Sequence, residues 1–189
     1  NLVISPVVLA AAKKMEKKLG IPWLRHLRSY RLDEIDEMYA ELSKQLNTDL
    51  TEAAAEFRKK AEEKITESLA VIGDYPVPVD YQAVLRPFNL ALALTEYGFK
   101  VGLVASNGIP AFEKESAKKL KEMVPDIVFT DPMHPQSVQY PHEGEEYLCI
   151  GFDCGYITKS KKLVELVEDE GLFGYSGVME LMNRMQDAF

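Results

Sequence analysis

Apolar runs and helix-patterned segments alternate from about residue 67 to the end of the chain, and this alternation constrains the fold most. The order strand, helix, strand builds a parallel sheet with helices packed on its faces. We therefore predict a three-layer α/β domain over residues 67–189. Its strands are predicted at residues 69–72, 101–105, 127–130 and 147–152. Its helices are predicted at residues 87–97, 111–123, 160–168 and 176–188.

The first residues indicate a strand followed by a capped helix. Residues 1–4 (NLVI) have the character of a buried strand, and no signal-peptide pattern precedes them. Ser5 is a typical N-cap, Pro6 suits the first helical position, and Gly20 suits the end of the helix. A chain that begins inside a core strand is expected to be a piece of a longer protein.

Two amphipathic helices without a strand between them connect this start to the α/β domain. A short strand or extended segment is expected at residues 21–24, and a helix is predicted at residues 32–46. A further helix begins near Asp49, with Glu52 placed for a capping box. Such consecutive helices are typical of a bridge between domains. We interpret residues 1–66 as the tail of a preceding α/β domain plus these bridging helices.

Charge and cysteine content narrow the class of protein. The formal net charge of −8 argues against a nucleic-acid partner, because the phosphate backbone is itself negative. No run approaches the roughly 18 apolar residues that a membrane span needs, so no membrane partner is expected. The two cysteines do not make a disulfide framework, which fits a reducing compartment such as the cytoplasm.

Four polar side chains are expected near the carboxyl ends of the predicted strands, where parallel sheets bind ligands. Arg86 opens a predicted helix, and its guanidinium stays charged and offers fork-like donors to an anion. Asp74 follows the first predicted strand, Asn107 the second, and Cys154 the fourth. We predict a binding site from these four residues. The alternatives are that Arg86 pairs with an acid such as Asp74, that Asn107 lies in an ordinary turn, and that Cys154 packs in the core.

The other candidates for metal or proton chemistry are weaker. Cys149 lies inside a predicted strand and is expected to be buried, and a lone C-x4-C pair lacks the four ligands of a closed metal site. Asp153 is a candidate base or cation ligand. His134 and His142 share a long loop where exposed histidines are common, and His26 is expected to pack at the domain junction.

Several short motifs, in order, resemble a known family. They are residues 1–4 (NLVI), 18–23 (KLGIPW), 85–87 (LRP), 94–99 (LTEYGF), 124–127 (VPDI) and 174–177 (GYSG). Their order and spacing are similar to those of the nitrogenase component 1-type oxidoreductases. That family includes molybdenum–iron protein subunits, cofactor-assembly scaffolds and dark-operative protochlorophyllide reductase. The resemblance implies Rossmann-like domains, one partial and one complete.

The resemblance also implies a function for the full-length protein. Such a subunit would pair with a homologous subunit, hold a metallocluster or tetrapyrrole substrate, and receive electrons from an ATP-dependent iron–sulfur reductase. Arg86 matches the family arginine that faces the cluster. In the family, the cysteine ligands belong to parts of the protein that precede this fragment. No iron–sulfur or related metallocluster is therefore expected on the fragment. The fragment should be inactive alone. No histidine follows His142, which favours a nitrogenase-like relative over dinitrogen reduction.

A second hypothesis keeps the same residues without redox chemistry. The chain would then be a non-catalytic α/β binding module for a small anion, or part of a cluster-assembly scaffold. A dehydrogenase with a dinucleotide cofactor is disfavoured because no glycine-rich phosphate-binding fingerprint is present.

Overall fold

The structure is a computed structural model that describes residues 1–139 and 146–189. It contains two parallel sheets. The smaller sheet pairs β1 (Leu2–Val3) with β2 (Leu24–Arg25). The larger sheet consists of β3 (Val79–Asp80), β4 (Leu103–Ala105), β5 (Val128–Thr130), β6 (Leu148–Ile150) and β7 (Lys162–Val164). Its strand order is β5-β4-β3-β6-β7, and every pair is parallel, so the predicted α/β class is confirmed.

Helices connect and flank these strands. The α-helices are α1 (Leu9–Leu19), α2 (Leu32–Leu46), α3 (Thr51–Ile72), α4 (Pro87–Glu96), α5 (Lys114–Met123), α6 (Phe152–Thr158) and α7 (Gly174–Ala188). A single 3-10 turn, Pro6–Val8, leads into α1. Helix α4 is buried from Pro87 to Leu94, which explains its apolar composition on all sides. Within the described ranges, no helix is both long and apolar enough to cross a membrane.

The predicted helix start and end near the beginning of the chain are confirmed, but the predicted buried strand at residues 1–4 is confirmed only in part, because β1 covers only Leu2–Val3 and Leu2 is exposed. The Ser5 hydroxyl accepts a hydrogen bond from the backbone N–H of Val7, and Gly20 ends α1 with a left-handed φ of 66°. Helix α2 has the predicted bounds. The predicted division of the chain at residue 66 stays a prediction.

The predicted strand at residues 69–72 is wrong, because these residues form the last turn of α3. The buried positions Ile65, Ser68 and Ile72 recur at spacings of three and four, which is the helical period, and the Ser68 side chain reaches the backbone of Met182 in α7. The first strand of the sheet is β3 instead, within the proline-rich segment that follows α3. A short apolar run fits either element by composition alone.

The predicted helix at residues 160–168 is also wrong, since β7 occupies its first half. The predicted strand at residues 147–152 is confirmed only in part. Strand β6 ends at Ile150, and Gly151 turns the chain with a φ of 101° into the short helix α6. An element of seven residues leaves too little periodicity to be recognised in the sequence.

The topology places a switch point between β3 and β6. The chain moves from β3 to β4 and β5 on one side of the sheet, and from β6 to β7 on the other. The connections after β3 and β6 therefore lead to opposite sides of the sheet, and this is the position where doubly wound domains usually bind ligands. Arg86 belongs to the loop that follows β3.

Candidate functional site

Arg86 is the residue immediately before α4, and its side chain is held by two carboxylates from other segments. Nε donates to Glu113 at 3.2 Å, and Nη1 donates to Glu34 at 2.9 Å and to the backbone oxygen of Arg28 at 3.0 Å. The Arg86 side chain is only 10% exposed. Arg86 therefore forms ion pairs with acids, which was the alternative to a free binding group. Its partners are Glu34 and Glu113, not Asp74.

Glu113 is a fully buried carboxylate from the segment before α5. Besides Arg86, it accepts hydrogen bonds from the backbone N–H groups of Phe88 at 2.8 Å and Asn89 at 3.3 Å. These are unpaired donors in the first turn of α4, where a negative charge is stabilised by the helix dipole. Burial raises the pKa of Glu113 to about 6, and the Arg86 guanidinium limits that rise.

Glu34, in the first turn of α2, contacts Arg86 from the other side. Its second oxygen accepts hydrogen bonds from Asn89 at 3.1 Å and Arg31 at 3.3 Å. Burial acts to raise the pKa of Glu34, but the Arg86 guanidinium together with Ser29 and Arg31 lowers it below its ordinary value. Glu34 therefore carries its negative charge at neutral pH.

A groove of about 440 Å³ has two walls. One wall is α2 with the segment before it, and the other is the start of α5. Arg86 also lines the groove. Its basic lining residues are Arg25, Arg31, Arg86 and Lys119. Its acidic lining residues are Asp33, Glu34, Glu37 and Glu115. Nη2 of Arg86 forms no hydrogen bond within the part of the chain that the structure describes, and it is not completely enclosed although the residue as a whole is buried. One arm of this otherwise fixed guanidinium is therefore available to a ligand.

Asp169 fixes the loop that carries Arg86 against the segment before α2. Its carboxylate accepts hydrogen bonds from the Tyr30 hydroxyl at 2.8 Å, the Leu85 backbone at 3.3 Å and Arg28 at 3.4 Å. Asp169 and its two neighbours form a left-handed turn. The φ values are 47° for Glu168, 65° for Asp169 and 43° for Glu170. Such backbone is costly for residues other than glycine and persists only where surrounding contacts enforce it.

Asp74 and Asn107 do not contribute to this groove. Asp74 follows the end of α3, not a strand, and lines a separate hollow with Tyr75 and Lys100 at the amino ends of the strands. Asn107 does follow β4 at the carboxyl edge, where it is exposed. The structure therefore does not bring these two predicted site residues together with Arg86.

The two cysteines are buried thiols rather than presented ligands. Cys154 lies inside α6 and packs in a small apolar cluster with Cys149 and Leu103. Burial raises the pKa of the Cys149 thiol to about 11 and raises that of Cys154 as well. The expectation that Cys149 is a buried strand residue is confirmed, and Cys154 takes the core-packing alternative.

Asp80, at the end of β3, is a residue that the sequence analysis missed. Its fully buried carboxylate accepts hydrogen bonds from the backbone N–H groups of Gln82 at 2.9 Å, Ala83 at 3.0 Å and Cys154 at 3.1 Å. Burial raises its pKa, while these N–H groups act in the opposite direction. Because the first strand was predicted at residues 69–72, Asp80 was not recognised as the end of a strand. An aspartate directly after apolar residues was nevertheless a usable signal.

The switch point also holds Asp153 and Gly151. The Gln82 side chain donates a hydrogen bond to Asp153 at 3.0 Å, so the loops after β3 and β6 are linked. Burial raises the pKa of Asp153. Gly151 presses against Asp80 so closely that a Cβ atom there would lie 2.3 Å from the carboxylate.

The described histidines do not assemble a metal site. His26 pairs with Glu41 at 2.6 Å in a partly buried contact, and His134 lies in an exposed loop. The expectation that His26 packs at a domain junction stays a prediction. His142 lies outside the described residues. Within residues 1–139 and 146–189, no group of three or more histidine, cysteine or acidic side chains is arranged to hold a metal ion.

The sheet order and the switch point define a Rossmann-like α/β protein, and a groove with a polar lining lies beside Arg86. A family comparison identifies the class more closely. The model of the family described as nitrogenase component 1 type oxidoreductase matches residues 1–189. The chain therefore belongs to the nitrogenase component 1-type oxidoreductases, and the resemblance seen in its motifs is confirmed.

Solved structures share the fold. One, titled "Nitrogenase Cp1 at pH 6.5", superposes with a TM-score of 0.75 at 16% identity and covers 99% of this chain. At that identity the likeness establishes the fold alone. This chain spans 44% of the length of the solved chain. A search of curated proteins found no match.

Proposed function

We propose that this chain forms part of a nitrogenase component 1-type oxidoreductase subunit and supplies a groove for a negatively charged group of the redox centre or its substrate. In this proposal the whole subunit holds a metallocluster or tetrapyrrole substrate, pairs with a homologous subunit and receives electrons from an ATP-dependent iron–sulfur reductase. Family membership supports this class of reaction.

The observation that carries the chain's own share is the state of Arg86. Its guanidinium is oriented by Glu113 and Glu34, lines the groove, and has no hydrogen bond on Nη2 from the described residues. A guanidinium that is already oriented loses little further freedom when a ligand binds, which favours affinity. An anionic group in the groove would therefore find a fixed, charged donor.

The described residues do not fit the ligand set of a metallocluster. Both cysteines are buried with raised thiol pKa values, and the described histidines lie apart from them. Thiolates are the usual ligands of iron–sulfur clusters. We therefore assign to the described residues electrostatic positioning of a bound group rather than coordination of a metal.

A double variant tests the groove. Replacing Arg86 alone would leave the buried Glu113 carboxylate without its cation, which commonly costs about 3–5 kcal/mol of stability. Arg86→Gln combined with Glu113→Gln removes both charges and keeps a neutral hydrogen-bonding pair. Charge-assisted hydrogen bonds contribute about 1.5–3 kcal/mol, so we expect succinate to bind the double variant roughly tenfold or more weakly than wild type. Titration calorimetry on the 189-residue chain measures this difference.

Arg25→Gln is the matched control, because Arg25 lines the same groove but forms no ion pair with the described residues. A loss as large as that of the double variant would indicate general charge rather than Arg86. Equal succinate affinity of wild type and the double variant would contradict the proposal.

The assembled enzyme distinguishes an oxidoreductase from a binding module. In the subunit that contains these residues, the double variant should lose substrate reduction and still bind the reductase. Succinate binding by a wild-type assembly that reduces no substrate would favour the non-catalytic alternative, and unchanged reduction in the double variant would show that the groove takes no part in the reaction.

A further inference from the structure

The two hydrogen-bonding edges of the Arg86 guanidinium differ in how completely their N–H groups are bonded. Nε, on the inner side, is taken by the fully buried carboxylate of Glu113. The outer edge consists of Nη1 and Nη2, which together match the two oxygens of a carboxylate. Nη1 donates to Glu34 and to the Arg28 backbone, whereas Nη2 has no partner among residues 1–139 and 146–189. The outer edge is therefore incompletely filled.

Glu34 makes only a one-oxygen contact with that edge. Oε2 accepts from Nη1 at 2.9 Å, while Oε1 accepts from Asn89 and Arg31. The Glu34 side chain is 28% exposed, whereas that of Glu113 is 0% exposed. Of the two carboxylates on Arg86, Glu34 is the one that a ligand in the groove can reach and replace.

We propose that Glu34 is an internal competitor, which a carboxylate-bearing ligand displaces from Arg86 to bind Nη1 and Nη2 together. This inference rests on the proposed function, because it concerns the same groove. The incoming carboxylate forms two parallel charge-assisted hydrogen bonds where Glu34 forms one. The displaced Glu34 keeps Arg31 and Asn89 as hydrogen-bond partners.

The local charge balance explains why displacement is needed. Two carboxylates, Glu34 and Glu113, already pair with the single guanidinium of Arg86, so an entering anion has to compete with them for that cation. Arg31, the other cation near Glu34, is also bound to Asp33 at 2.6 Å and to Glu96 at 2.8 Å. When Glu34 leaves, Arg86 is paired with Glu113 alone. The carboxylate of the ligand then becomes the second partner of Arg86.

Glu34→Gln tests the competition directly. The variant removes the competing charge and keeps the size of the side chain, so succinate should bind about tenfold more tightly than to wild type, a gain of roughly 1.4 kcal/mol. The measurement is titration calorimetry of the 189-residue chain at pH 7 with succinate, and with neutral succinamide, which should not bind. Glu34→Ala should change affinity in the same direction, and thermal unfolding of each variant checks that it is folded.

Glu37→Gln is the matched control. Glu37 lies on the same helix, lines the same groove and is exposed, but it has no contact with Arg86. We expect less than about a threefold change in this variant, because only long-range screened charge is lost. Equal tightening in the Glu34 and Glu37 variants would overturn the inference.

The outcomes separate this inference from the proposed function. Succinate binding to wild type that is not tightened by Glu34→Gln or Glu34→Ala rejects the competitor and leaves the groove intact. Absence of succinate binding in wild type and in both Glu34 variants rejects the groove itself. Binding that appears only when Glu34 is removed supports both.

Discussion

Glu113 joins two structural roles in one buried carboxylate. It accepts hydrogen bonds from two backbone N–H groups at the start of α4, and it pairs with Arg86. Each contact favours the charged carboxylate, while burial disfavours it, and burial has the larger effect on the pKa. The stability of this contact should therefore depend on pH.

We predict that Glu113 makes the fold less stable as pH rises. The native pKa of about 6 exceeds the ordinary value of 4.5, so the folded chain binds this proton more tightly than the unfolded chain. The resulting stabilisation is complete below about pH 4.5 and is lost as pH rises through about 6, a difference of roughly 2 kcal/mol. Urea unfolding of wild type and Glu113→Gln at pH 4 and pH 7 measures it. Identical pH dependence in both proteins would contradict the prediction.

Arg86 could be predicted from the sequence, but its partners could not. A charged residue at the start of a helix after a strand is visible in the order of residues. Glu34 and Glu113 lie 52 and 27 positions away in the sequence, and only the packing of α2 and of the segment before α5 brings them to Arg86. Their long separations carry no local pattern that sequence reasoning can use.

At the level of elements, the junction of β6 and α6 depends on one close approach. Gly151 has a φ of 101°, and a Cβ atom there would lie 2.3 Å from the Asp80 carboxylate. Asp80 cannot move aside easily, because three backbone N–H groups hold it.

We predict that Gly151→Ala destabilises the fold by about 3 kcal/mol or more, through both the steric overlap and the left-handed backbone. Gly102→Ala is the matched control, since Gly102 precedes β4 and has no atom within 4 Å of its Cβ position. It should change the unfolding free energy by about 0.5 kcal/mol or less. Chemical denaturation measures both variants, and equal effects would disprove the close approach.

Elements with clear boundary signals could be predicted, whereas short ones could not. Helix α2 has the predicted bounds, and α4 and α7 lie close to theirs. Residues 69–72 were misassigned because a helix that packs one apolar face against a neighbour contains short runs that also suit a strand. Strand β3 was missed because it is only two residues long and lies in a proline-rich segment.

For the whole molecule, α3 joins its parts across the predicted boundary. The helix spans Thr51–Ile72 and therefore continues past residue 66, where the sequence suggested that the bridging helices end. It packs along α7, the last helix of the chain. The family motifs indicated the fold class correctly because they mark turns and helix ends, which the architecture requires.

The reactivity of the two cysteine thiols reports whether the whole fold opens. Both thiols are fully buried, and burial raises their pKa values, so few thiolates are present at neutral pH. We predict no reaction of the native chain with a thiol reagent at pH 7.5 and reaction of both cysteines in urea. Mass spectrometry after timed labelling measures this. Rapid labelling of native Cys154 would instead restore it as a candidate ligand at the carboxyl edge.

The carboxylate of Asp80 has a consequence for nucleotide recognition. In many doubly wound domains, backbone N–H groups at the switch point cradle a dinucleotide's diphosphate. Here the chain's own carboxylate already accepts hydrogen bonds from such groups, and Gly151 closes over it. A diphosphate would have to displace a buried anion of like sign. The sheet topology is thus that of a dinucleotide binder, but the chain's own carboxylate occupies the position that a diphosphate would take.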